Sequence, residues 1–325
     1  MQSTKRRFIA VMAAGVVLLL VASALSLRLG AVPTPLSQMF EEIALRDGVV
    51  YDYRLPRLVI AILVGINMAL AGTVLQGVTR NPLAAPDLMG ITAGGGLVTV
   101  LFILAVPGYS AAWLPWFAFA GAAATSLLIY ILAYSRGVKP QRLILTGIAI
   151  SGGLHALVAL LVVKYAPSAA QALVWLKGSL YARSWEHAGI IWPWTAGGAV
   201  LAMLSWKHLN TLHLHEDSIR SLGMRIDRTR LFLLAVSVGL AGSVVAVAGG
   251  IGFVGLVIPH LARLLVGPNH RFLLPSSALL GAVLVTAADM GGRIVMPPVE
   301  VPVGIMISCI GAPYFLYLLL RRRMG

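Results

Sequence analysis

One cysteine in 325 residues removes two chemistries at once. Cys309 lies inside an apolar run, so the chain has no disulfide framework and no metal–thiolate cluster; it reads as a small core or lipid-facing residue. Charge is equally scarce, at 11% Asp, Glu, Lys and Arg against 59% hydrophobic residues, with a mean hydropathy of +0.89. A soluble domain of this length cannot hide that much apolar surface behind so few charges. No stretch is long and polar enough to form a separate soluble domain. The phosphate-binding pattern G-x-x-x-x-G-K-S/T is missing, which excludes ATP binding in that manner. No run of intramembrane carboxylates or histidines is spaced for a proton or sodium cycle. No nucleophile–base pair stands out as an intramembrane enzyme.

What is present is apolar sequence, repeated along the chain. A window of about 19 residues marks ten candidate spans, near 8–28, 57–78, 88–106, 112–134, 143–164, 188–206, 231–249, 252–266, 272–292 and 302–320. Helix is the expected state of each, because hydrocarbon offers no partner to an open backbone group. The fold class is therefore all-α and polytopic, a single transmembrane domain over 1–325. The start of the chain, Lys5-Arg6-Arg7 followed by apolar Phe8 to Leu27, has the outline of a signal peptide. Its apolar run is long enough to span a bilayer and no small-x-small site closes it, so it reads as a retained first helix. The eighth span is short, and Ala248-Gly249-Gly250-Ile251-Gly252 before it reads as a turn or a bend.

The net charge of +14 does not form the one-sided basic patch with interleaved aromatics that nucleic acid requires. The cations sit in the short connectors. With ten spans and both termini cytoplasmic, 17 of the 25 Lys and Arg fall inside and 8 outside, in the direction of the positive-inside rule. Removing the eighth span would invert everything after it and place Arg321-Arg322-Arg323 outside.

Four segments carry possible chemistry. The loop 207–230 contains His213-Leu214-His215-Glu216-Asp217-Ser218-Ile219-Arg220-Ser221-Leu222-Gly223-Met224. Leu214, Ile219, Leu222 and Met224 can share one side of a short helix, Glu216 and Asp217 suit its first turn, and Gly223 suits its C-terminal cap. Such a helix either rests on lipid headgroups or acts as a lever in a groove of a cytoplasmic partner. His213 and His215 complete no metal site and read as solvated. Tyr53-Arg54-Leu55-Pro56-Arg57 precedes the second span, and Arg80-Asn81-Pro82-Leu83-Ala84-Ala85-Pro86-Asp87 follows it with a sharp turn imposed by its prolines. Outer arginines run against the charge trend; they are either snorkelling anchors or forks for a carboxylate. In Gly250–Arg263, His260 beside Pro259 is either a proton relay or a cap on backbone freed by the proline. Asp289 and Arg293, four apart, can pair at an outer helix end.

These strings, together with Gln76–Ala84, Phe253–Arg263 and Glu300–Gly304 (E-V-P-V-G), run in order over nearly the whole chain. The chain resembles the permeases of the iron-siderophore and cobalamin class of ABC importers, the FecCD-type type II importer subunits. The resemblance implies a transport subunit without covalent catalysis and without a cofactor or metal of its own, ATP being bound by a partner. Its implied partners are a second permease subunit, two cytoplasmic ABC ATPases, an extracytoplasmic substrate-binding protein and membrane lipid, with no nucleic acid. The implied location is the bacterial cytoplasmic (inner) membrane, and the implied cargo a ferric siderophore, with cobalamin or haem as alternatives within the class. An ion-coupled secondary transporter is the alternative from another class.

Residue by residue, the resemblance implies that Arg54, Arg57 and Arg293 face the binding protein and pair with its glutamates. Asn81 and Leu83 of the N-P-L-A turn fall at a cytoplasmic gate. Pro140 and Gln141 fall on its facing side, where some members carry small hydroxyl residues. Leu214, Glu216, Asp217, Ile219, Leu222, Gly223 and Met224 fall on the coupling helix that rests in the ATPase.

Overall fold

The computed structural model describes residues 2–29, 35–106, 108–135, 137, 139–165, 170–221, 223–297 and 299–323. Fourteen α-helices follow one another there: α1 (Gln2–Arg28), α2 (Leu36–Leu45), α3 (Leu55–Thr79), α4 (Ile91–Ala105), α5 (Leu114–Ala133), α6 (Pro140–Lys164), α7 (Ala170–Leu176), α8 (Trp185–Leu204), α9 (Trp206–Thr211), α10 (Glu216–Ser221), α11 (Ile226–Ala248), α12 (Val254–Val266), α13 (His270–Ile294) and α14 (Val303–Arg323). The fold is all-α and polytopic. Among the described residues, six helical stretches are long and apolar enough to cross a membrane: Thr4–Arg28, Val50–Thr79, Ala111–Ala133, Pro140–Lys164, Ile226–Ala248 and His270–Ile294. The other four expected spans fall on three shorter apolar helices, Ile91–Ala105, Val254–Val266 and Val303–Tyr317, and on α8.

Burial sorts the helices. α3 and α11 are enclosed along most of their length, whereas α1 and α6 are exposed along most of theirs. Two helices can be central only if their faces admit close neighbours, and small residues provide this. A Cβ placed on Gly72 of α3 would lie 2.0 Å from the Gly255 carbonyl oxygen of α12. One on Gly65 would lie 2.2 Å from the Gly281 oxygen of α13. Polar side chains inside the bundle bond across it rather than to lipid. Asn67 donates to Ser243 Oγ at 3.0 Å, and Ser237 Oγ to the Ala71 carbonyl at 3.0 Å, tying α3 to α11.

The doubtful boundary at 249–252 is a break. Gly249 takes a positive φ of 76°, and Phe253 stands at φ 65°, where few side chains are tolerated. A carboxylate holds the turn: Asp87 Oδ2 accepts the Phe253 N–H at 3.2 Å. α12 then covers about 20 Å at 1.5 Å per residue, less than a full span. α4 starts three residues later than its expected span because a 3₁₀ turn over Pro86–Met89 and the left-handed Gly90 precede it.

The chain direction assigns the two ends of the bundle. The end of α1 (Ser26 to Leu29), the start of α3 and the end of α13 meet at one end. Phe8 of α1 meets Phe272 of α13 at the other, with ring centroids 5.1 Å apart. The charge asymmetry makes the first end outer and the second inner.

Candidate functional site

At the outer end, Arg54, Arg57 and Arg293, which the family resemblance alone had grouped, line one pocket, and all three bond within the protein. Arg57 reaches across from α3 to α13. Its Nε lies 3.1 and 3.0 Å from the two oxygens of Asp289 and its Nη2 lies 2.9 Å from Oδ1, while Nη1 donates to Glu300 at 2.8 Å. Arg293 pairs with the same Asp289, Nε to Oδ2 at 3.5 Å, in the four-residue spacing read from sequence. Its Nη1 donates to the carbonyls of Ser26 and Leu29, and its Nη2 to Ser26 Oγ at 2.6 Å. Arg54 donates to the carbonyls of Leu27 and Arg28 at 2.7 and 3.3 Å. The last carbonyls of a helix have no partner within it and carry the negative end of its dipole. Arg54 and Arg293 therefore clamp the end of α1 to the starts and ends of its neighbours. Arg54 is 8% exposed, and the side chains of Arg57 and Asp289 are 13% and 3% exposed.

These arginines line a cavity of about 380 Å³ together with Val49, Asp52, Tyr53, Glu300 and the segment Tyr181–Ser184. The acidic residue Glu42 supports its wall by accepting the Val50 N–H at 2.7 Å. Next to Ser184 in sequence, the Trp185 indole donates to the Tyr51 carbonyl at 3.1 Å. The segment 181–184 contributes a residue that sequence reasoning passed over. Arg183 faces the cavity from the approach to α8, and burial pushes its guanidinium below the ordinary arginine range. In the sequence it was one more connector cation.

At the inner end, α3 terminates at Arg80, which is left-handed at φ 51°. Its guanidinium reaches the segment between α9 and α10, Nε donating to the Leu212 carbonyl and Nη2 to the Leu214 carbonyl at 2.6 Å. Immediately after it, Asn81 Oδ1 accepts the Leu83 N–H at 2.9 Å and fixes the N-P-L-A turn, with Leu83 38% exposed. Pro140 and Gln141 open α6, on the same inner side. Among the described residues no hydrogen bond joins them to Asn81 or Leu83.

A second clamp lies beside the first. Asn210 accepts from the backbone and ring of His270 at 3.0 and 2.9 Å and donates to Asn269 at 3.0 Å, so α9 is tied to the start of α13. His213 is exposed, as expected, and also stacks on His270 with ring centroids 5.5 Å apart. Burial, Arg263 and Arg80 hold its imidazole below the ordinary histidine range. His215 is exposed, as expected. His260 stands edge-on to Tyr314 at 6.5 Å.

The loop 207–230 folds as two short helices. α10 ends in the Gly-capped form read from its sequence: Gly223 is left-handed at φ 77°, and the Met224 N–H reaches back to the Ile219 carbonyl at 3.4 Å. Of the apolar residues read as one face, Ile219 and Met224 both pack on the core. Ile219 is fully buried in the protein's own core, while Leu214 is 46% exposed and Asp217 and Gly223 are exposed. Leu222 lies outside the described residues, as does the side chain of Glu216. Ile219 and Met224 thus anchor the segment, while Asp217 and Ser218 face outward.

With this geometry established, the chain compares with known proteins as follows. The model of the FecCD transport family matches residues 18–321. The iron(3+)-hydroxamate import system permease protein FhuG of Bacillus subtilis (strain 168) is 40% identical, with 99% of each chain covered. The Fe(3+)-citrate import system permease protein YfmE of the same organism is 44% identical over 84% of this chain and 82% of its own. Among solved structures, a protein described as a metal-chelate type ABC transporter in an inward-facing conformation superposes with a TM-score of 0.86. It is 31% identical, and the match covers 96% of this chain and 99% of that one.

Proposed function

Because the chain belongs to the FecCD transport family, we propose that it is the membrane-spanning permease subunit of an ABC importer that carries ferric chelates, siderophores above all, across the bacterial cytoplasmic membrane. The observation that carries this reading is the end-to-end match to iron-chelate permeases, 99% of the chain with one of them. The geometry fits it in detail. A cluster of guanidiniums occupies the outer end of α3 and a small helix hangs from its inner end, roughly 37 Å away at 1.5 Å per residue. In this reading a docking surface and a drive surface are linked by one buried helix.

In this reading ten spans form one domain, and two permease subunits, identical or different, enclose the path. A loaded substrate-binding protein docks on the outer pocket of Arg54, Arg57 and Arg293. Two ATPase subunits receive the α10 segment, Leu214 to Met224, and their closure on ATP displaces it. Arg80 passes that displacement to the turn holding Asn81 and Leu83, which with Pro140 and Gln141 forms the inner gate. Hydrolysis belongs to the partner chains. The test is uptake of radiolabelled iron by a strain lacking this chain, offered as ferric citrate, ferric hydroxamates and ferric catecholates, with cobalamin and haem in parallel. Restoration by the intact gene for one ferric chelate supports the reading. Restoration for cobalamin or haem alone would move the cargo, and normal iron uptake without the chain would remove it.

A further inference from the structure

Two breaks in the helical order meet inside the bundle. After Arg80 the chain turns back between the helices. A Cβ on Gly255 of α12 would lie 2.8 Å from Pro86, and the Gly255 carbonyl lies against Gly72, seven residues before Thr79 at the end of α3. Asp87 therefore sits roughly 10 Å above the inner end of α3, at 1.5 Å per residue. The other break runs from Gly249 to Phe253, the N-cap of α12, whose N–H donates to Asp87 Oδ2 at 3.2 Å. The positive end of a helix dipole favours an ionised carboxylate at that place.

One hydrogen bond does not answer the charge. Asp87 Oδ1 is buried without a hydrogen-bond partner, and no Lys, Arg or His stands within ion-pair distance of Asp87 among the described residues. The residue borders a cavity of about 210 Å³ together with Thr92 of α4, His155 of α6, Trp175 of α7, Gly250 and Gly252. His155 is exposed, and a Cβ on Gly152 or Gly153 of the same helix would meet nothing within 4 Å. A helix that crosses the bilayer does not show an imidazole to hydrocarbon, so this side of α6 faces water or protein. The cavity opens on that side.

A carboxylate at this depth is costly until a cation meets it. An ammonium suits the groups present: it pairs with a carboxylate, donates to a hydroxyl and is attracted by an indole face. Pockets for drug-sized ligands hold about 300–1,000 Å³, so this one takes a side group and not a whole chelate.

We propose that the Asp87 cavity is a cargo contact inside the membrane, which receives a primary ammonium projecting from a ferric chelate in transit. This rests on the importer reading above and adds to it a preference for one charge class of chelate.

The experiment uses the intact transporter with its ATPase in proteoliposomes, and a binding protein saturated with one of two labelled cargoes. One is a ferric trihydroxamate with a free primary amine; the other is the same chelate with the amine acetylated. Wild type should carry the amine-bearing chelate faster. Asp87→Asn keeps an acceptor for the Phe253 N–H and removes the charge. The ratio of the two rates should then fall roughly fivefold or more, the loss expected for a hydrogen bond to a charged group. Thr92→Val, which leaves Phe253 untouched, should lower the same ratio by a smaller factor. Equal rates in wild type, or a ratio unchanged in both variants, would overturn the assignment and leave the importer reading in place. Equal loss for both chelates in Asp87→Asn, with the ratio unchanged in Thr92→Val, would make the carboxylate a brace for the turn and overturn it as well. If replacing sodium and potassium by choline slows wild type but not Asp87→Asn with the acetylated chelate, the cavity belongs to a free metal cation and the assignment falls. Refusal of both chelates by wild type also overturns it; if ferric citrate and ferric catecholates are refused too, the importer reading falls with it.

Discussion

Replacing Asp289 by Asn should destabilise the outer end of the bundle strongly, and Arg57 should account for most of the loss. Asp289 is 3% exposed and lies within hydrogen-bond distance of Arg57 through three nitrogen–oxygen contacts, with Arg293 3.5 Å away. At an effective dielectric near 20, opposite charges about 3 Å apart attract by roughly 5–6 kcal/mol before desolvation is counted. Desolvation consumes much of that gain, but removing one partner does not return it, because the orphaned guanidinium stays buried. Broken buried pairs cost about 3–5 kcal/mol. Glu300, 32% exposed, still holds Arg57 at 2.8 Å and softens the loss. The expectation is therefore the lower end of that range, about 3 kcal/mol. Unfolding in mixed detergent micelles, followed by tryptophan fluorescence, measures it. The double variant Arg57→Met with Asp289→Leu should recover a large part, giving a coupling energy of roughly 2 kcal/mol or more. If Asp289→Asn stays within about 0.5 kcal/mol of wild type, as a surface substitution would, the network is not the structural frame described here.

Other outcomes follow from the inner end. Arg80→Ala removes both bonds to the 212–214 carbonyls and should leave ATP hydrolysis running while iron transported per ATP falls several-fold. Arg80→Lys, a point charge without the fork, should fall between, and an unchanged ratio in Arg80→Ala would dismiss the link. His213 resists a proton that the unfolded chain accepts near pH 6.5, because burial, Arg263 and Arg80 oppose it. Its contribution to stability is complete above that pH and declines as pH falls below it. His213→Gln should flatten the decline seen in unfolding experiments between about pH 6.5 and 5; an identical pH profile would refute this. Gly72→Leu should prevent α3 and α12 from meeting, since even a methyl group there would sit 2.0 Å from the Gly255 oxygen. Greatly reduced folded yield is expected, and normal yield would mean that the helices can part.

The sequence was legible where the information is local. Apolar runs located the helices, Gly223 marked the end of α10, and the spacing of Asp289 and Arg293 forecast their pair. The turn near Gly249 was legible in its glycine-rich string, but not what holds it, which is Asp87, 166 positions away from Phe253. The same limit hid the larger network. Arg57 and Asp289 are 232 apart, and no periodicity relates them. Arg54, Arg57 and Arg293 stood out as outer cations, yet sequence could not tell that Asp289, Glu300 and the end of α1 hold them. Arg183, with no carboxylate partner among the described residues, looked ordinary for the same reason. Of the apolar residues read as one face of the coupling segment, Ile219 and Met224 pack on the core while Leu214, ahead of α10, is exposed, since burial is decided by neighbours such as α11 as well as by spacing.

The central claim is that ATP acting on partner subunits moves a ferric chelate through this chain. Proteoliposomes containing the permease with its ATPase, and the loaded binding protein on the opposite side, test it most directly. Labelled iron should accumulate only when ATP is present on the ATPase side and should stop when ATP is replaced by a non-hydrolysable analogue. Accumulation driven by a proton or sodium gradient without ATP would contradict the account and identify an ion-coupled carrier.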